Sequence, residues 1–551
     1  MKMNFKKIFS AVAAAAMLTS CVGDLNTVPL NPTDVTSETA YGTDVNGYVQ
    51  GLAKIYFQLT SNNTQDLQVA DGGASEFIRA FWSTQEVTAD GAKCAWGDAW
   101  VNDLNNNTWK GDVLNDAVYA VYVRTLQGVA YVNEYLRQTS DDNLALRGCS
   151  DEVIAKIQEF RAEARFLRAF FYWAAMDTFG QVPFSTENTP FGGGYNPPQK
   201  PRAEVFAYCI EELEDLASES SAMPAAQSNY PRADKGSVLG LLARMYLNAE
   251  VYTGTKMFKE AKTTCEKIFG LGYKLAPTHA ELFRGDNGEN PDAIGEILFA
   301  ASYDAENNKS YGGTTYLTLS TLNAEDDAVN MTGINGGWAG NRTPDHYVQT
   351  YFAPESADFT TGEYKIADKR AYFHIKGRTQ SMEATFDAEG KEINNLNTFL
   401  CGWSCIKFNN VPHDMDAVEY SAVAATKNFS DIDWPLIRLG DINLIYAEAC
   451  MHEGGDASAQ VAALAERAGV AAPKTINADF LMAERARELM WEAHRRTDLI
   501  RYGKWISGYN WTFKGGNFLG KDLDSNFNIF PIPTTELATN LDLNQNPGYS
   551  R

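Results

Sequence analysis

Residues Arg161–Phe184 read RAEARFLRAFFYWAAMDTFGQVPF, and this stretch decides the fold. Phe166, Leu167, Phe170, Phe171, Ala174 and Ala175 recur at helical spacing and form one wide apolar face. Arg161, Arg165 and Arg168 fall on a single stripe of the same helix. Gly180 suits the left-handed position after a helix, and Pro183 prevents the helix from resuming. A helix this rich in Phe, Tyr and Trp must be covered on most sides. The arginine stripe has two readings. It is either a solvated basic edge or a row of cations tied to carboxylates, because an unpaired buried charge is costly.

Working outward, further helices are predicted from about Val45 to Leu59, over Asp116–Gln138, over Ser150–Thr178 and over Arg202–Ala217. Asp71–Arg79 and Gly91–Trp109 read as loops rich in Gly, Asn and Asp. In and around them stand Trp82, Trp96, Trp100 and Trp109, and most of these rings are expected to plug the loops onto the core. From Tyr230, Gly240, Ala243, Tyr246 and Ala249 line one helix, and Phe258, Ala261, Cys265 and Ile268 line the next. Small residues opposite aromatics at this spacing read as a tetratricopeptide-like pair. Trp434–Gly469 reads as a second pair, and Glu484–Trp505 as one further helix in which Glu492 reaches Arg495 or Arg496. Such pairs cannot bury their faces singly and must stack. The tail, Ile529–Tyr549, reads as extended.

The predicted class is mainly α: stacked tetratricopeptide-like helix pairs with an irregular, loop-rich lobe. The predicted organisation has a signal peptide at 1–20 and a tether at 21–40. A helical scaffold follows at 41–270, with binding loops at about 61–112. An irregular ligand-binding region spans 271–432, and a C-terminal scaffold with its tail spans 433–551. A loop-rich insert of that length in a helical scaffold is usually functional.

The pattern ARFLRAFFYW…FGQVPF resembles the central helix of the SusD/RagB family of surface glycan-binding lipoproteins. Four more segments resemble that family in its order. They are RADKGSVLGLLARMYLNAEVYTG at Arg232, DWPLIRLGDINLIYAEA at Asp433, ERARELMWEAHRRTDLIRYGKW at Glu484 and IFPIPTTELATNLDLNQNPGY at Ile529. The resemblance implies an outer-membrane lipoprotein that captures ligand as a lid over a TonB-dependent SusC-like transporter. It also implies site residues, by similarity to the family's starch-binding founder. SYGGTTYL places a stacking ring at Tyr311, the Asn-Gly-Gly-Trp stretch places one at Trp338, and Cys94-Ala-Trp96 places one at Trp96. Asp71 and Arg79 keep the spacing of a polar pair that contacts sugar hydroxyls. Asp98 or Ala99 stands where the founder has asparagine, and the tryptophan turn carries an extra glycine.

Lys2, Lys6 and Lys7 precede an apolar run from Ile8 to Leu18, followed by Leu18-Thr19-Ser20-Cys21. A basic start, a short apolar run and a small-residue site read as a secretory signal. The Leu-Thr-Ser-Cys box predicts cleavage before Cys21 and lipidation of its thiol, which anchors the protein to the membrane without a spanning helix. The whole chain carries −23, and its first twenty residues hold three lysines and no acid, so the remainder carries −26. Such a surface repels phosphate backbones and argues against nucleic acid. Seven scattered cysteines remain, which is no disulfide framework. Cys209, Cys265 and Cys450 read as core residues, while Cys401 and Cys405 are either bridged or free.

A pyranose has an apolar face of C–H groups and a rim of hydroxyls. Aromatic rings cover the face at little entropy cost, and charged side chains bind the rim and fix orientation. Rings set in a curve favour a helical α-glucan over a flat glycan. The chain has no G-x-S-x-G, no H-E-x-x-H and no Walker loop, and no enzyme is predicted. A surface glycosidase, needing two carboxylates across the scissile bond, and a RagB-like peptide-binding lid are the alternatives. No cofactor is predicted. Asp286 and Glu289 offer oxygens to calcium, but Pro291 stands where an EF-hand loop needs glycine.

Overall fold

The computed structural model describes residues 37–62, 67, 69, 72–190, 192 and 194–551. The leader, Cys21, most of the tether and Asp71 lie outside the described residues.

The central helix runs Asp151–Phe179. Ser150 starts it by accepting a hydrogen bond from the Val153 amide, and Asp151 and Glu152 place carboxylates at the positive end of its dipole. Gly180, at φ +72°, stops it and donates its amide to the Met176 carbonyl. From Phe166 to Phe179 every side chain is buried. The helix lies against Asp116–Gln138 on one flank and Arg202–Ala217 on another. Phe170 meets Phe77 at 6.1 Å and Phe299 at 5.7 Å, so one ring joins three distant parts of the chain.

The arginine stripe is tied down. Arg165 pairs with Glu212 and Asp215, and Arg168, almost wholly buried, pairs with Glu187 and Glu212. Arg161 donates to the carbonyls of Leu136 and Thr139 at 3.0 and 2.7 Å. Arg168 had to be met, because the rings around it exclude water, while Arg161 and Arg165 keep part of their side chains in solvent.

The predicted pairs stack. Lys235–Leu247 packs on Phe258–Phe269, which packs on Leu439–Glu453, and that helix in turn contacts Ser458–Ala468 and Ala478–Glu488. The residues before the second pair differ from expectation. Trp434–Arg438 is a fully buried strand, antiparallel to Ile297–Ala301, with Trp434 opposite Ala301 and Arg438 opposite Ile297. An apolar run covered on both faces suits a buried strand as well as a helix.

Other differences are also physical. Glu484–Trp505 is two helices, Ala478–Glu488 and Arg495–Arg501, because Trp491 and Ala493 take left-handed φ of 64° and 63°. The Trp491 carbonyl accepts from the Trp82 indole at 3.1 Å, and the Trp491 indole donates to the Gly91 carbonyl at 3.0 Å. Glu492 accordingly reaches Arg438 and Lys407 rather than Arg495 or Arg496. Arg79 lies on a short helix, Phe77–Trp82, and Ala99–Asn106 is helical within the presumed second loop. The tail holds a helix, Thr534–Thr539, and wraps the end of the central helix. The Phe530 amide donates to Thr178, and the Asn546 amide group donates to Phe179.

Between Leu271 and Asp433 short helices alternate with two-stranded pieces such as Ser356–Asp358 with Glu363–Lys365 and Phe373–His374 with Ser404–Cys405. All seven cysteines within the described residues are free thiols, Cys401 and Cys405 included. Among the described residues no helix is long and apolar enough to cross a membrane.

Candidate glycan-binding site

The site is assembled by backbone hydrogen bonds between segments far apart in sequence. Lys93–Cys94 pairs antiparallel with Asn341–Arg342, placing Cys94 opposite Asn341. The Ala95 amide then donates to the Gly340 carbonyl at 2.8 Å. This sets the strand carrying Trp96 beside the turn carrying Trp338. A Cβ at Gly340, whose φ is +113°, would fall 2.7 Å from the Trp96 indole, so only glycine fits under that ring. The same turn hangs on the far end of the helix Gly313–Leu319 and the residues after it. Trp338 donates its amide to Leu319, Ala339 to Leu322 and Asn341 to Ser320.

Tyr311 stands just before that helix. It is 52% exposed, the open ring of the group. Its neighbours are locked from behind. Ser310 donates its hydroxyl to the buried Glu76 carboxyl, and Gly312 donates its amide to the Ser310 hydroxyl at 3.0 Å. Tyr303 donates its phenol to the other oxygen of Glu76. Burial pushes the Glu76 carboxyl well above the usual carboxylate range. The phenol ring of Tyr311 lies 6.0 Å from Trp338, tilted by 52°.

Trp96 and Trp338 are half-buried. Of the tryptophans flanking the loops, Trp82, Trp100 and Trp109 are buried, which separates Trp96 from them. Arg79 is only 3% exposed, with its guanidinium 5.3 Å from the Trp96 ring and 4.3 Å from Tyr316. It therefore sits beneath the Trp96 ring, where a cation faces the negative face of the aromatic system. Asp71, its expected polar companion, lies outside the described residues.

Two rings escaped the sequence analysis. Tyr316 is buried edge-on to Trp96 at 5.8 Å, and Phe429 lies 4.9 Å from Tyr311. The GGTTY spacing put Tyr316 one turn along the helix from the site, a signal available in the sequence. Nothing local marked Phe429.

Asp286 accepts from the backbone and ring of His413, at 2.9 and 2.6 Å. Asp286, His413 and Asp414 bring ligand atoms within 4.8 Å of one another, and Glu289 is not one of the three. Calcium takes oxygen ligands, so the His413 imidazole of this set is not one of its usual partners. The contact with Asp286 holds the His413 imidazole above its ordinary range.

Residues 295–549 match the SusD family model, and residues 62–247 match a model described as starch-binding and associating with the outer membrane. The starch-binding protein SusD of Bacteroides thetaiotaomicron is 30% identical, over 99% of each chain. The chain belongs to the SusD family. Solved structures share its fold. A SusD superfamily protein from Parabacteroides distasonis superposes with a TM-score of 0.68 at 19% identity, covering 94% of this chain and 100% of that one. The surface glycan-binding protein A from Bacteroides thetaiotaomicron, solved with laminarihexaose, superposes with a TM-score of 0.66 at 17% identity, covering 91% and 98%. In this SusD-family chain the ring cluster draws on both matched halves, Trp96 and Arg79 from one and Tyr311 and Trp338 from the other.

Proposed function

We propose that this protein is a non-catalytic, lipid-anchored glycan-binding subunit of the cell surface, with an α-glucan such as starch as its ligand. One observation carries the reading. Tyr311 presents a half-exposed ring tilted against Trp338, on a turn fastened from behind by Glu76. The exposure leaves one face of the ring open to a ligand, and a ring set off-plane from its neighbour suits the apolar face of a curved sugar chain. The identity with a starch-binding relative supports the choice of α-glucan. Trp96, Tyr311 and Trp338 are the stacking residues. Arg79, stacked against Trp96, and Asp71 are the polar pair for the sugar hydroxyls. The loops at about 61–112 and the region 271–432 form the binding lobe. Cys21 carries the lipid, and a SusC-like TonB-dependent transporter receives the captured glycan.

Native gels containing starch, pullulan, dextran, levan or xylan test the reading. Retardation by starch and pullulan, lost in Trp338→Ala, is the expected result. Retardation by no glycan overturns it, and release of reducing sugar would replace it with a glycosidase.

A further inference from the structure

Phe429 takes no part in the sequence reading of the site, yet the structure sets it 4.9 Å from Tyr311, at 47°. Its ring is half-buried. The segment that carries it is fastened on both sides to the elements that carry the other rings. The Asn335 amide, in the turn leading to Trp338, donates to the Lys427 carbonyl at 2.9 Å. The Ser430 amide donates to the hydroxyl of Thr315, in the helix behind Tyr311, at 2.9 Å. Asn410 then accepts from the Ser430 hydroxyl and the Asp431 amide at 3.2 and 2.7 Å. A ring held by so many fixed backbone points loses little entropy when a ligand covers it.

Resting on the glycan-binding reading above, the geometry points to Phe429 as a specificity-determining ring that lengthens the platform beyond Tyr311. Trp338, Tyr311 and Phe429 follow one another at 6.0 and 4.9 Å, each tilted from the next by 52° and 47°. The three rings cannot lie against one flat ribbon. A chain that turns as it advances can place successive pyranose faces on them, and the additional ring takes an additional sugar. The ligand class is therefore a curved glucan, bound more tightly as it grows long enough to reach Phe429.

The alternative is that Phe429 only props Tyr311. The two roles differ in ligand length and in the chemistry that rescues them. Affinities for maltotriose and maltoheptaose are measured by calorimetry on the wild type and on the Phe429→Ala, Phe429→Leu, Phe429→Tyr and Trp338→Ala variants. The expected result is a loss of roughly tenfold for maltoheptaose in Phe429→Ala and Phe429→Leu, with maltotriose little changed and Phe429→Tyr close to wild type. Leucine restores packing volume but not a ring face, so wild-type binding by Phe429→Leu overturns the inference. Equal losses for both sugars, or no loss in Phe429→Ala while Trp338→Ala abolishes binding, also overturn it and leave the glycan reading intact. A wild-type protein that binds neither sugar, nor laminari-oligosaccharides of matched length, overturns both.

Discussion

The guanidinium of Arg438 clamps the carboxylate of Glu492, with Nε 2.7 Å from Oε2 and Nη2 2.8 Å from Oε1. Both side chains are 1% exposed. Arg438 ends the strand that ties the loop-rich region to the scaffold, and Glu492 lies in the break between the last two scaffold helices. The pair is one edge of a buried network. Lys407 reaches Glu492 at 2.6 Å, and Glu488 accepts from Arg370, Arg438 and Arg467.

Glu492→Gln is expected to destabilise the protein by about 3–5 kcal/mol, because it leaves the buried Lys407 without its counter-charge. Urea unfolding followed by circular dichroism measures this. A loss below about 1 kcal/mol, the range of surface pairs, would show that the network is not stabilising through that carboxylate.

Phe170→Ala is expected to cost about 3–5 kcal/mol, since the ring is fully buried between Phe77, Trp173 and Phe299. The loss should appear as a lower denaturation midpoint with an unchanged slope. A near-neutral result would mean that the three neighbours close over the gap.

Gly340→Ala should weaken glycan binding more than it weakens the fold. The added Cβ would press on the Trp96 indole from 2.7 Å, at a φ of +113° that L residues rarely adopt. A shift in tryptophan fluorescence with reduced retardation in starch gels is expected. Unaltered binding would place Trp96 outside the ligand path.

Stability should depend on pH through Glu86. Burial raises its carboxyl to about 8, although the His494 amide and the nearby Arg495 favour the charged form. The folded state therefore holds a proton that the unfolded state has released, and stability falls as pH rises from the usual carboxylate range through about 8. Lys93 acts in the opposite sense. Burial lowers it to about 7, so the unfolded state holds the extra proton above that value and stability rises from there toward the ordinary lysine range. Glu86→Gln keeps an acceptor for the His494 amide and removes the first effect. Its stability relative to wild type should grow between about pH 5 and about pH 9, as read from urea midpoints. A constant difference would show that Glu86 keeps one charge state across that window.

Most of the helical scaffold was legible in local sequence. Periodicity located the central helix, and the alternation of small residues with aromatics located the stacked pairs. These features are local: each residue's face is fixed by its neighbours three and four positions away. The arginine stripe was legible as a question, and Glu187, Glu212 and Asp215 are the answer that tertiary structure supplied. Family resemblance picked out Trp96, Tyr311 and Trp338. The contact of Tyr311 with Trp338, and the place of Trp96 beside the Trp338 turn, were decided by the pairing of Cys94 with Asn341 and by the hydrogen bonds of that turn to the end of Gly313–Leu319. The break at Trp491 and the approach of Phe429 to Tyr311 were likewise decided by partners hundreds of residues away or on another segment. Backbone hydrogen bonds of that range leave no period in a sequence, because any residue supplies the amide and the carbonyl.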